Sequence, residues 1–171
     1  MLEVIQKRRS CRNFNNKPVE LEKIKEVVNA GLLAPSGMNR QTPVVIAITD
    51  QKIRDKLAKI NGRNMLRGDD FDPFYGAPVV LLVIAKKEGL SIHDGGACIE
   101  NMLLEATNQG LNSCWIHRAD DEIQCQEGRD LLSFTRLNFD EYVGVGHVIL
   151  GYSDDPKYRD KVIADGRAFY K

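Results

Sequence analysis

The sequence has no excess charge of either sign, no long apolar run, no paired-cysteine motif and a single tryptophan. Each absence removes a class of function. Lys+Arg and Asp+Glu both number 24, so the formal net charge is zero. A dedicated nucleic-acid binder carries a basic excess, so no nucleic-acid partner is expected, although a local basic pocket stays open. The longest apolar stretch, residues 77–85, is far too short to span a bilayer. The chain opens Met1-Leu2-Glu3-Val4, with an early acid and no apolar signal core. A cytoplasmic protein with no membrane partner is expected. Cys11, Cys98, Cys114 and Cys125 form no C-x-x-C pair, and reduced thiols are the default.

What remains is an ordinary globular composition over 171 residues, 43% apolar and 28% charged, which fits one domain spanning residues 1–171 with enough length for a sizeable core. The hydrophobic spacing predicts a short opening helix ending near Arg8 and a loop over residues 10–19. A helix with Leu21, Ile24, Val27, Val28 and Leu32 on one face should stop by Pro35. Strands are expected over Val44–Thr49, Pro78–Ala85, Leu111–Ile116 and Tyr142–Tyr152. Helices are expected over residues 51–60, with Asp50 as N-cap, over 94–109, with Gly110 just past the end, and over 120–132. Residues 61–76 read as a long polar surface excursion and a candidate lid. The tail from Ser153 is polar and aperiodic. Strands alternating with helices favour a mixed sheet covered by helices.

Arg8-Arg9-Ser10-Cys11-Arg12 is the densest chemical signal. Guanidinium forks match a phosphate in two-point fashion, and a serine hydroxyl adds a donor. The same residues also fit a solvated basic turn or a nucleic-acid patch. A second basic pair, Lys157 and Arg159, could converge with the first on one phosphate. Other constellations are weaker. Cys114 and His117 lie three apart on a strand, which sends them to opposite faces, and no convincing zinc set emerges. Ser36 is not in a nucleophile elbow. No acid–histidine pair stands out beyond His93-Asp94. Gly144-Val145-Gly146 lies inside a strand rather than before a helix, so it fails as a dinucleotide fingerprint. Gly95-Gly96 reads as close helix packing or an anion contact.

The order of motifs carries more than any one of them. Arg8-Arg9-Ser10-x-Arg12-x-Phe14 precedes Ala34-Pro35-Ser36-Gly37-x-Asn39-x-Gln41. Then come Gly76-Ala77-Pro78, Asp94-x-Gly96-Ala97-Cys98 with Asn101, Gly110-Leu111-x-Ser113-Cys114-Trp115-Ile116, Gly151-Tyr152 and Lys157-x-Arg159. Over nearly the whole chain this resembles the FMN-dependent nitroreductase family in its short form. The resemblance implies an α+β fold with a central mixed, mostly antiparallel sheet flanked by helices. It also implies an intertwined homodimer with FMN at the subunit interface. Arg8, Ser10, Lys157 and Arg159 would hold the phosphate and ribityl end, with Arg9 in the same cofactor-binding set. Arg12 would lie near the pyrimidine edge. Pro35, Ser36, Gly37 and Asn39, with Gln41 closing the motif, would come from the partner subunit. Ile116, His117 and Arg118 would lie along the ring near its reactive nitrogen, and Asn64 at its edge. Many relatives carry glycine where this chain has His117-Arg118, so its substrate face departs from the pattern.

The implied activity is reduction of a small acceptor, nitroaromatic or quinone-like, by NADH or NADPH through FMN in a ping-pong mechanism. No protein residue is expected to act as a catalytic acid or nucleophile, because a flavin carries the electrons itself. The rival readings are a flavin storage or sensing module without turnover, and another flavin reaction on the same scaffold.

Overall fold

The computed structural model describes residues 1–63, 65, 71–158 and 161–171. Helix α1 (Glu3–Lys7) opens the chain. Helix α2 (Leu21–Leu32) buries Ile24, Val27 and Gly31 along one stripe. Strand β1 (Pro43–Ile48) follows. Asp50 caps α3 (Gln51–Gly62), its carboxylate accepting from the Lys52 and Ile53 amides at 2.8 and 3.0 Å. Next come β2 (Val79–Lys86), α4 (Ser91–Asn108) and β3 (Asn112–Ile116). Gly110 sits just past α4 at φ 72°, the left-handed position that favours glycine after a helix. Helices α5 (Ala119–Gln124) and α6 (Gln126–Leu131) lead to β4 (Tyr142–Gly151).

The strands order as β1-β2-β4-β3, and every ladder is antiparallel. One isolated parallel bridge, Ser10 to Ser113, adds the N-terminal segment beside β3. The α+β class with a mostly antiparallel, helix-flanked sheet is therefore what forms. Strand β2 lies inside the sheet and is buried on both faces. Val80, Leu82 and Ile84 join one core with Leu57 of α3 and Ile123 of α5. Val79, Leu81 and Val83 join the other with Val27 of α2 and Ile99 and Met102 of α4. Each such buried aliphatic side chain contributes about 1.5–3 kcal/mol, so the run that lacks alternation in sequence is the most strongly held strand.

Strand β4 carries a bulge. Val83 pairs with Gly146 and Ile84 with Gly144, which leaves Val145 as the extra residue. The bulge shifts the side-chain phase. Val145 packs in the core beneath α4, whereas His147, two residues on, meets Glu122 of α5.

Four sequence expectations change. Helix α4 starts at Ser91 rather than Asp94, and the Asp94 carboxylate accepts from the Gly37 amide at 3.0 Å and the Thr42 hydroxyl at 3.4 Å. The helix expected over residues 120–132 breaks at Cys125, whose backbone is extended (φ −93°, ψ 148°). The polar excursion over residues 61–76 is partly core. Asn61 belongs to α3, Phe74 is fully buried, and Asp72 folds the turn by accepting from the Phe74 and Gly76 amides while pairing with Arg54. Residues 64 and 66–70, which carry the Asn64 assignment and most of the suggested lid, lie outside the described residues. Leu21 and Leu32, which spacing places on the apolar face of α2, are exposed, and the aperiodic tail exposes Val162, Ile163, Phe169 and Tyr170. Among the described residues no helix is long and apolar enough to cross a membrane.

Candidate functional site

After α1 the backbone runs extended beside β3, held by the Ser10–Ser113 bridge and by the Cys11 amide donating to Ser113 O at 2.9 Å. Cys11 is fully buried, so it anchors the segment while its basic neighbours face outward. The tail crosses the same segment, because the Asn13 side chain donates to Asp155 O at 2.9 Å. Between them lies a cavity of about 420 Å³. Arg8, Arg9, Ser10, Arg12 and Lys157 line it, with Asn13, Pro156 and Lys161. Arg159 lies outside the described residues.

Among the described residues, five basic side chains share this cavity, and two carboxylates answer them. Glu100 lies 3.7 Å from Arg8, and Asp155 lies 3.6 Å from Lys157. The Arg9 fork turns onto the Gln6 and Arg8 carbonyls. Lys161 donates to Ile5 O at 2.8 Å. Burial, then repulsion from Arg8 and Arg9, lowers its pKa from the ordinary lysine value. An anion entering the cavity would relieve that repulsion. The Arg12 guanidinium lies 6.0 Å from the Tyr75 ring centroid.

The loop over residues 34–41 forms a separate group. Met38, Asn39 and Gln41 all adopt positive φ (53°, 53° and 51°), a conformation that costs non-glycine residues about 1 kcal/mol or more each. The Gln41 amide donates to Ser36 Oγ at 2.9 Å, and Asp94 holds the Gly37 amide. None of Pro35, Ser36, Gly37, Asn39 and Gln41 lines the basic cavity. Gly37 and Met38 instead border a smaller cavity of about 170 Å³ with Thr42 and Asp94.

The third group is Ile116-His117-Arg118, where β3 turns into α5. Ile116 is nearly buried, His117 is exposed, and Arg118 is half-buried with left-handed backbone (φ 69°). Beneath them His147 Nε2 lies 2.9 Å from Glu122 Oε2, and His147 Nδ1 lies 3.3 Å from Ile116 O. The Asn61 amide nitrogen donates to Glu122 Oε1 at 2.9 Å and to His117 O at 3.0 Å. Sequence reading found no acid–histidine pair beyond His93-Asp94. The His147–Glu122 couple escaped it because the partners are distant in the chain and the Val145 bulge decides which face His147 takes.

Two sequence readings gain a physical cause. A Cβ at Gly144 would fall 2.2 Å from the Asp120 amide nitrogen, and one at Gly146 would fall 2.4 Å from Trp115 Nε1. These glycines seat α5 and Trp115 on β4. Cys98 and Cys114 are core residues. Burial pushes the Cys98 thiol up to about 11 and raises Cys114 against the pull of Arg12. Neither is a ready thiolate nucleophile or metal ligand at neutral pH.

The sequence pattern of the Nitroreductase family matches residues 5–152. The chain belongs to the nitroreductase family. A nitroreductase with bound FMN from Bacteroides fragilis superposes with a TM-score of 0.90 at 25% identity, covering 99% of this chain and 97% of that one. An FMN-dependent nitroreductase from Clostridium difficile R20291 superposes with a TM-score of 0.74 at 27% identity, covering 96% and 92%. A protein of Archaeoglobus fulgidus named "Putative NADH dehydrogenase/NAD(P)H nitroreductase" is 27% identical over 160 residues, 91% of this chain and 87% of its own length. Family membership makes this protein an oxidoreductase and accounts for the order of motifs along the chain.

Proposed function

We propose that the protein is an FMN-dependent oxidoreductase that uses NADH or NADPH to reduce a small acceptor of nitroaromatic or quinone type. The cavity that gathers Arg8, Arg9, Ser10, Arg12, Lys157 and Lys161 carries this reading. Its surplus of cations fits a phosphate dianion, and of the similar proteins one holds bound FMN and another is FMN-dependent. When bound, FMN supplies the redox chemistry, and the protein supplies binding, orientation and electrostatics. Arg8, Ser10, Lys157 and Lys161, with Arg9 beside them, would hold the phosphate and ribityl end. Arg12 would favour negative charge at the pyrimidine edge.

Neither the His117 N–H nor the Arg118 N–H has a hydrogen-bond partner among the described residues. Both are free to meet acceptor atoms of the ring. Pro35, Ser36, Gly37, Asn39 and Gln41 lie apart from the basic cavity and would act on the cofactor of a partner subunit. That requires a homodimer. Exposed Leu33, Met38, Leu90 and Ile92, together with Val162, Ile163, Phe169 and Tyr170 of the tail, support such an interface. His117 and Arg118 in place of small residues would make the acceptor pocket narrower and more basic.

The deciding measurement is the visible spectrum of the purified protein before and after anaerobic NADH or NADPH. A yellow protein that bleaches, and that sediments at twice 19.3 kDa, is expected. Steady-state double-reciprocal plots should be parallel, as for a ping-pong mechanism; intersecting lines would reject that scheme. A yellow protein that no nicotinamide bleaches would favour storage or sensing. A colourless protein that FMN cannot reconstitute would refute the proposal.

A further inference from the structure

Asn61, Glu122 and His147 are each fully buried, and together they form a small polar island in an otherwise apolar core. Such an island is costly unless every atom is paired, and here the pairing is directional. Glu122 takes Asn61 on one oxygen and His147 on the other. The bonds that leave the trio go to Ile116 O, to His117 O and, through Asn61 Oδ1, to the Arg118 guanidinium at 3.4 Å. Three residues from α3, α5 and β4 therefore converge on three consecutive residues of one segment.

The consequence for that segment follows from peptide geometry. In a trans peptide the C=O of one residue and the N–H of the next point in opposite directions, and no cis bond is present among the described residues. Ile116 O is turned inward by the β3–β4 pairing of Ile116 with His147 and by the His147 ring beside it, and this turns the His117 N–H outward. Holding His117 O inward does the same for the Arg118 N–H. Because a carbonyl only accepts, His147 Nδ1 carries a hydrogen. A further proton must lie between Nε2 and Oε2, since two lone pairs would repel there. The couple is then neutral as a whole whichever atom holds that proton, and it acts by direction and not by net charge.

We propose that Asn61, Glu122 and His147 are positioning residues that aim the His117 and Arg118 amides at the flavin ring, so that this pair of donors is preorganised before any substrate arrives. The proposal rests on the flavin reading above. The trio touches neither cofactor nor substrate; it acts through two backbone carbonyls.

The test uses the holoenzyme and three variants. Asn61→Leu is close in size and removes the donor to His117 O. His147→Gln places an amide nitrogen near the Nε2 position and abandons Ile116 O. His147→Asn places one near Nδ1 and retains that bond. Flavin content should stay high in all three, because the basic cavity sets it. The rate constant for anaerobic reduction of bound FMN by NADH or NADPH should fall about 10- to 100-fold in Asn61→Leu and His147→Gln, the scale of a misplaced catalytic group. The midpoint potential should move with it, and His147→Asn should recover most of the lost rate.

Flavin-loaded Asn61→Leu and His147→Gln proteins with the wild-type rate and potential would overturn the proposal. So would a His147→Asn protein as slow as His147→Gln, which would indicate general packing. If the variants do not fold, the wild type still decides. With ¹⁵N-labelled histidine, the His147 Nδ1–H resonance should shift when dithionite reduces the bound FMN, and an unmoved resonance would overturn the proposal. A wild type that takes up no FMN at all is a separate failure, that of the flavin reading itself.

Discussion

Replacing Arg8 by alanine should strip the protein of flavin while leaving its fold nearly as stable. The side chain is one-fifth exposed and borders the basic cavity, and its ion-pair partner among the described residues is Glu100 at 3.7 Å, itself half exposed. A pair of that kind adds about 0–1 kcal/mol to stability, so the urea midpoint should barely move. A charge-assisted bond to a phosphate is worth about 1.5–3 kcal/mol, which corresponds to roughly 10- to 150-fold weaker FMN binding. Arg8→Lys keeps the charge and loses the fork, and should fall between the two. Fluorescence titration of the apoprotein with FMN reads the constant directly. Full flavin content with an unchanged constant in Arg8→Ala would return residues 8–12 to a solvated basic turn, the bland reading that the sequence left open.

Local signals were legible, and long-range ones were not. The Asp50 cap and the Gly110 stop depend on neighbours within a few residues, and each stands where spacing put it; the α2 stripe holds at Ile24 and Val27, while Leu21 and Leu32 at the helix ends are exposed. The start of α4 does not. Its N-cap position is Leu90, which makes no side-chain cap bond, and Asp94, the obvious capping residue, is committed to Gly37 across the fold. The break at Cys125 is equally silent in sequence, because no glycine or proline marks it.

The site divides in the same way. Arg8 to Arg12 form one contiguous cluster, so their shared chemistry could be read directly. Lys161 was missed because the tail has no period, and its placement depends on contacts such as Asn13 to Asp155, 142 residues apart. The Asn61–Glu122–His147 island was invisible for a stronger reason. One extra residue in β4, Val145, decides whether His147 faces α4 or α5, and the two strand glycines permit a bulge without fixing the residue at which it falls. The family resemblance supplied the nitroreductase fold and the flavin hypothesis, but it could not supply this phase shift.

The second large effect is expected at Gly144, where a single methyl group should unseat α5. A Cβ there would lie 2.2 Å from the Asp120 amide nitrogen, 2.3 Å from the Ala119 carbonyl carbon and 2.5 Å from the Asp120 Cα. All three are backbone atoms, so no rotamer can relieve the clash. The Gly144 amide also donates to Asp120 Oδ1 at 2.9 Å, which ties strand to helix at the same point. Relief requires α5 to lift from β4, opening the core around Ile123 and Ala119. Overpacking of this kind costs about 3 kcal/mol or more when the neighbour cannot give. Gly110→Ala is the control. Its backbone is left-handed (φ 72°), but nothing lies within 4 Å of the added methyl, so it should cost only the conformational penalty, about 1 kcal/mol. Urea titration of the two variants separates steric seating from backbone strain, and equal losses would show that α5 gives way easily. The functional consequence follows from chain order. Helix α5 begins at Ala119, directly after Arg118, and Glu122 sits within it. Any Gly144→Ala protein that folds should bind FMN at the basic cavity yet reduce it slowly, because the lifted helix carries the Glu122 carboxylate away from Asn61 and His147.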